Sequence, residues 1–136
     1  GAARSELQRC GRLGDGWLPS FCTPSSVKHG IDMVNDAAVA AGRTIDPEHF
    51  GVLIGYVEGE IPPPIAEFVT KRDPKADPRD VVAGSLTQVA ELIERFTAAG
   101  ASKFVVLPYA AQTSASAWTD ELESLAASVL PLQARR

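Results

Sequence analysis

The run Phe50-Gly51-Val52-Leu53-Ile54-Gly55-Tyr56-Val57 sets the tightest limit on what this chain can become. It is apolar at successive positions, so both faces of a strand built from it must be covered. A half-exposed strand alternates apolar with polar residues. A continuous apolar run is the pattern of an interior parallel strand with helices packed over it. Two further runs share that character: Trp17-Leu18-Pro19-Ser20-Phe21, short and broken by its proline, and Lys103-Phe104-Val105-Val106-Leu107-Pro108. Helical spacing fills the intervals. Leu7, Cys10 and Leu13 lie on one face of a helix that stops at Gly14-Asp15-Gly16. Thr23-Pro24 opens a second helix with the stripe Val27, Ile31, Val34 and Ala38, and Gly42 ends it. Ser85 and Gln88 have capping-box spacing ahead of Val89, Leu92, Ile93 and Phe96, with Gly100 as the stop. A last helix is expected from near Thr119, with Asp120 and Glu121 in its first turn. Leu122, Leu125, Ala126 and Val129 should face inward, and Pro131 should end it.

Strands alternating with helices predict an α/β fold with three parallel strands. Three strands cannot close a barrel, and 136 residues fall far below the roughly 250 of a (β/α)8 barrel. The outer strands should therefore expose edges able to pair with neighbours. The first helix has no strand before it, so the expected fold is the C-terminal part of a barrel, cut from a longer protein. The segment 58–84 is rich in prolines and charges and is expected to be an insertion or lid-like loop, with a short helix around residues 65–70.

A net charge of -4 with scattered basic residues argues against a nucleic-acid partner. No apolar run approaches the roughly 20 residues of a membrane span, and the polar N-terminal stretch is not a signal peptide. Cys10 and Cys22 are too few for a disulfide framework and read as reduced thiols of a cytoplasmic protein. There is no CxxC, and His29 and His49 lie far from either cysteine and read as surface residues. No metal site is expected. No P-loop, GxGxxG or Ser-His-Asp pattern is present.

Several stretches, in order and spacing, resemble one family. Residues 9–19, Arg-Cys-Gly-Arg-Leu-Gly-Asp-Gly-Trp-Leu-Pro, resemble the R-x-A-R-L-x-D-G-W-x-P stretch of luciferase-like monooxygenases. Ala40-Ala41-Gly42-Arg43 resembles the end of the following helix. Residues 84–108, ending in Gly100-Ala101-Ser102-Lys103-Phe104-Val105-Val106-Leu107-Pro108, resemble a mycobacterial or actinobacterial coenzyme F420-dependent subgroup, as does Leu130-Pro131-Leu132-Gln133. The resemblance implies a flavin- or deazaflavin-dependent oxidoreductase of the barrel type. It would transfer a hydride between an organic small molecule and F420, or FMN as the alternative, and the parent protein would be a homodimer.

Barrel active sites lie at the C-terminal ends of the strands. That rule selects Ser20 with the cofactor and Phe21, Glu58 and Tyr109 for the substrate, and places Lys103 at the opposite face. The resemblance puts Gly1 and Ala2 at the end of a Gly-Gly-like motif, so that Gly1, Ala2, Ala3 and Arg4 would meet the cofactor phosphate at a helix start. Gly84-Ser85 is a second anion-friendly helix start, and an ordinary capping box is its competing reading. Trp17 reads as core, and no catalytic acid or base is assigned. Two rival functions stay open: a non-catalytic α/β module, or truncated product, pairing through open strand edges, and a barrel enzyme holding a sugar phosphate at Gly84-Ser85.

Overall fold

The computed structural model describes residues 2–110 and 112–133. Gly1, Arg135 and Arg136 lie outside them. The helices are α1 (Arg4–Leu13), α2 (Pro24–Ala40), α3 (Pro63–Arg72), α4 (Leu86–Ala98) and α5 (Ala115–Val129). The strands are β1 (Gly51–Tyr56), β2 (Val82–Ala83) and β3 (Lys103–Pro108). All pairings are parallel, in the order β2-β1-β3. β1 pairs with β3 along its whole length, from Gly51 opposite Lys103 to Tyr56 opposite Pro108.

The other edge of β1 is shared. Its lower half meets residues 17–20 through two isolated parallel bridges, Trp17 with Phe50 and Ser20 with Leu53. The Gly51 N–H donates to Trp17 O at 3.0 Å and the Leu53 N–H to Pro19 O at 2.9 Å. Its upper half meets β2, and the Val57 N–H donates to Ala83 O at 3.0 Å. The strand expected at 17–21 is thus not regular. Pro19 lacks an N–H to donate, and Phe21 turns the chain away at a φ of 52°. β2, from the proline-rich segment, takes the place it vacates.

One face of the sheet is sealed. Val52, Ile54 and Tyr56 of β1 pack in one core with Val27, Ile31 and Val34 of α2 and Val89, Leu92, Ile93 and Phe96 of α4. Each such fully buried side chain contributes about 1.5–3 kcal/mol. Trp17 belongs to this core. The opposite face is open: Val105 is 46 % and Leu107 43 % exposed on β3, and Leu18 is exposed beside Gly51. β3 also has an unpaired outer edge among the described residues. The accessible surface is 8250 Å². A compact monomer of 14.4 kDa exposes roughly 6,800 Å².

Local chemistry explains the helix limits. Thr23 Oγ1 accepts from the Ser26 N–H at the start of α2. α3 begins at Pro63, because prolines are tolerated in a first turn whose N–H groups are unused. α5 starts earlier than the sequence predicts, at Ala115, because Ser114 Oγ caps it through the Ala117 N–H at 3.1 Å. Its inward stripe is also narrower than expected: Leu125 is buried, but Leu122 is 55 % exposed. α5 packs chiefly on α4, and no described element covers its outer positions. Beyond α5 the chain continues as a 3-10 turn, Leu130–Leu132, through the expected stop at Pro131. Cys10 and Cys22 are free thiols. His29 and His49 are exposed. No described helix is long and apolar enough to cross a membrane.

α1 and α2 meet at Gly11. A methyl there would overlap the carbonyl oxygen of Val34 and lie 2.7 Å from Ala37 Cβ. Gly11→Ala is expected to destabilise the protein by about 1–3 kcal/mol through forced separation of the two helices. A urea midpoint unchanged from the wild type would contradict that packing.

Candidate functional site

A cleft of about 320 Å³ opens where three elements converge. Ala2 and Ala3 stand at the start of α1. Phe21, Cys22, Thr23 and Ser26 lead into α2. Val69, Arg72 and Asp73 close α3, with Ala76 and Val81 beyond them. Two helix N-termini therefore face one cavity, each carrying about half a positive charge. Small side chains at Ala2 and Ala3 leave the backbone there open to close approach. Part of that end is already bound, since Glu6 Oε2 accepts from the Ala3 N–H at 3.1 Å.

Phe21 is the one non-glycine residue with a left-handed backbone among those described. A bulky side chain in that region costs on the order of 1 kcal/mol or more, and such strain concentrates at ligand sites. The fold holds it there: the Phe21 ring meets Phe68 of α3 edge-on, with centroids 5.0 Å apart. It also packs on a small apolar cluster of Val69, Val81 and Val82. Next to it, burial pushes the Cys22 thiol above its ordinary value, and the Arg72 guanidinium opposes part of that shift.

The other site residues selected from the sequence are dispersed. Arg4 is exposed on α1. Ser20 bridges to Leu53 and its carbonyl faces Cys22 Sγ at 3.5 Å. Gly1 lies outside the described residues. Tyr109 lies over Gly55, where any side chain would collide with its ring, and joins the cluster on which Phe21 packs. Burial raises the Tyr109 phenol above its ordinary value. Glu58 lines a separate, shallower depression with Gln112, Asp120 and Glu121.

Gly84 and Ser85 start α4 as anticipated, but their surroundings are filled. The Gly84 N–H donates to Gln88 Oε1 at 2.7 Å, and Ser85 Oγ accepts from the Gln88 N–H. The Arg79 guanidinium lies directly on Gly84 and donates to Gly59 O at 2.8 Å. Arg72 and Cys22 were not selected from sequence. Arg72 belongs to a short helix in a segment without strand periodicity, so nothing local ties it to α1 and α2. Among the described residues no three His, Cys, Asp or Glu side chains are placed to hold a metal ion.

The strain at Phe21 gives a signed expectation. Phe21→Gly and Phe21→Ala both lose the ring contacts, but only glycine adopts this backbone without a Cβ penalty. Phe21→Gly should be the more stable of the two by about 1 kcal/mol in urea unfolding; the reverse order would mean the backbone there is not left-handed.

No family model matches the sequence, and no curated protein does. Solved structures do. An F420-dependent secondary alcohol dehydrogenase in complex with an F420-acetone adduct is similar to 77 % of this chain at 17 % identity, with a TM-score of 0.52. The monooxygenase RslO1 from Streptomyces bottropensis is similar to 96 % of it at 17 % identity, with a TM-score of 0.61. The chain spans 40 % and 45 % of the lengths of these two proteins. The fold is thus α/β, three parallel strands with flanking helices, arranged as part of a (β/α)8 barrel.

Proposed function

We propose that this chain forms the C-terminal part of a barrel oxidoreductase that transfers a hydride between an organic small molecule and coenzyme F420, with FMN as the alternative cofactor. The observation that carries the reading is the convergence of Ala2, Ala3 and Phe21 on one cleft between two helix N-termini. These residues had been selected separately, as cofactor phosphate and substrate contacts. The similarity in fold to an F420-dependent dehydrogenase supports the cofactor class.

The residues fit the anionic side chain of such a cofactor. The cavity lies at the low end of the roughly 300–1,000 Å³ usual for ligand sites. It suits a phosphate and the atoms next to it rather than a fused ring system. When bound, the cofactor supplies the hydride chemistry. This chain would hold the anionic end at Ala2 and Ala3, wall the cleft with Phe21, and offer the Tyr109 hydroxyl to the substrate. Burial raises that phenol further above neutral pH, so it stays protonated and able to donate a hydrogen bond. The open sheet face bearing Leu18, Val105 and Leu107 would be covered by the other strands of the barrel.

A second reading has its own support. The unpaired edge of β3 and the exposed Leu122 favour association with another chain, either as a homodimer or through strand pairing. The surface excess of roughly 1,400 Å² over a compact monomer exceeds the roughly 800 Å² per partner of a standard interface. A sugar phosphate at Gly84-Ser85 meets one obstacle, since Gln88 already takes the Gly84 N–H, although Arg79 Nη1 beside it is buried without a hydrogen-bond partner.

Absorbance and fluorescence titrations with F420 and with FMN test the main reading. Saturable binding of one of them is expected for the protein with its barrel completed, and much weaker binding for residues 1–136 alone. Saturable sugar-phosphate binding with no response to either cofactor would contradict it. Light scattering tests the second reading: residues 1–136 alone should associate, and Leu122→Lys should reduce that association. A clean monomer at high concentration would contradict it.

A further inference from the structure

We propose that Arg72 is the specificity-determining residue of the cleft, selecting ligands that carry a phosphate over the same ligands without one. The inference rests on reading the cleft as the place of the cofactor's anionic end, and it names a residue from a different element for that role.

Arg72 reaches the cavity from the last turn of α3, opposite the starts of α1 and α2. Arginines near a surface commonly meet a carboxylate. Among the described residues, Arg43 pairs with Asp15 and Arg95 with Asp80, whereas the exposed Arg72, like Arg4, Arg9, Arg12 and Arg79, has no acid within 4.0 Å, and of these Arg72 is the one that lines the cleft. Its one hydrogen-bond contact is from Nη2 to Cys22 Sγ at 3.9 Å. A neutral thiol is a weak acceptor, so the guanidinium keeps nearly all of its donor capacity. Asp73, the acid nearest in sequence, also lines the cleft, but its Oδ1 takes the Lys75 N–H at 3.0 Å. A planar guanidinium facing a small cavity matches the paired oxygens of a phosphate.

The charges agree. The starts of α1 and α2 bring two positive helix ends to the cleft and the end of α3 one negative end, and Arg72 balances Asp73 among the lining side chains, so the cavity is left net positive. The position of Arg72 inside the 58–84 segment means that this segment, not the barrel strands, sets the preference.

Cys22 supplies a readout independent of activity, because its thiol borders both the cleft and the guanidinium. An anion bound to Arg72 removes the positive charge that favours the thiolate. Inorganic phosphate should therefore slow iodoacetamide alkylation of Cys22, followed by peptide mass spectrometry across pH, and move its profile to higher pH. In Arg72→Gln the profile should already be shifted upward and phosphate should move it no further. In the protein with its barrel completed, FMN should bind Arg72→Gln about ten- to hundredfold more weakly than wild type, with riboflavin equal for both and Arg72→Lys in between. If phosphate shifts the Cys22 profile through Arg72 but no flavin or deazaflavin binds, the oxidoreductase reading fails and the role of Arg72 stands. If FMN binds wild type and Arg72→Gln equally, or phosphate leaves the wild-type Cys22 profile unmoved, the role of Arg72 is overturned.

Discussion

β1 is the member on which the rest of the molecule depends. It is the strand whose backbone is bonded on both edges, to β3 along one side and to residues 17–20 and then β2 along the other. Its side chains at 52, 54 and 56 anchor the core shared by α2 and α4. A buried strand must satisfy every backbone donor and acceptor, because an orphaned group costs as much as a lost hydrogen bond. The irregular stretch at Pro19 cannot bond the upper half of β1. The two residues of β2 do so instead, which gives the segment 58–84 a structural role as well as a place beside the cleft.

That arrangement also creates the cleft. Where residues 17–20 leave β1, the chain turns through Phe21 and enters α2 at Thr23. The same departure makes room for α3 to lay Phe68 against Phe21 and to bring Arg72 beside Cys22. Cavity, strained residue and unpaired cation follow from one event, the replacement of one strand by another along a single edge. The open sheet face follows from a different one: helices cover one side of β1 and β3, and no described helix covers Val105 and Leu107 on the other.

Much of this was legible in the sequence, and the exceptions are instructive. The apolar run at 50–57 identified β1 because its periodicity has no competing explanation. Thr23 and Ser85 marked helix starts because their side chains bond the third residue onward, a purely local interaction. β2 was invisible, since two residues carry no periodicity and only the vacancy on β1 recruits them. The early start of α5 was missed because a Ser/Thr/Ala stretch suits a loop as well as a capped helix. In the candidate site, Ala2, Ala3 and Phe21 were reachable from strand-end and helix-start rules. Arg72 and Cys22 were not, because their proximity spans fifty positions of chain.

The central claim is that β1 is sealed on both edges while β3 is sealed on one. Amide hydrogen exchange resolved by residue tests it directly. The account predicts that the amides of Val52 to Tyr56 exchange only through global unfolding, and that alternate amides of β3, those on its outer edge, exchange orders of magnitude faster. Uniform protection along β3, equal to that of β1, would contradict it.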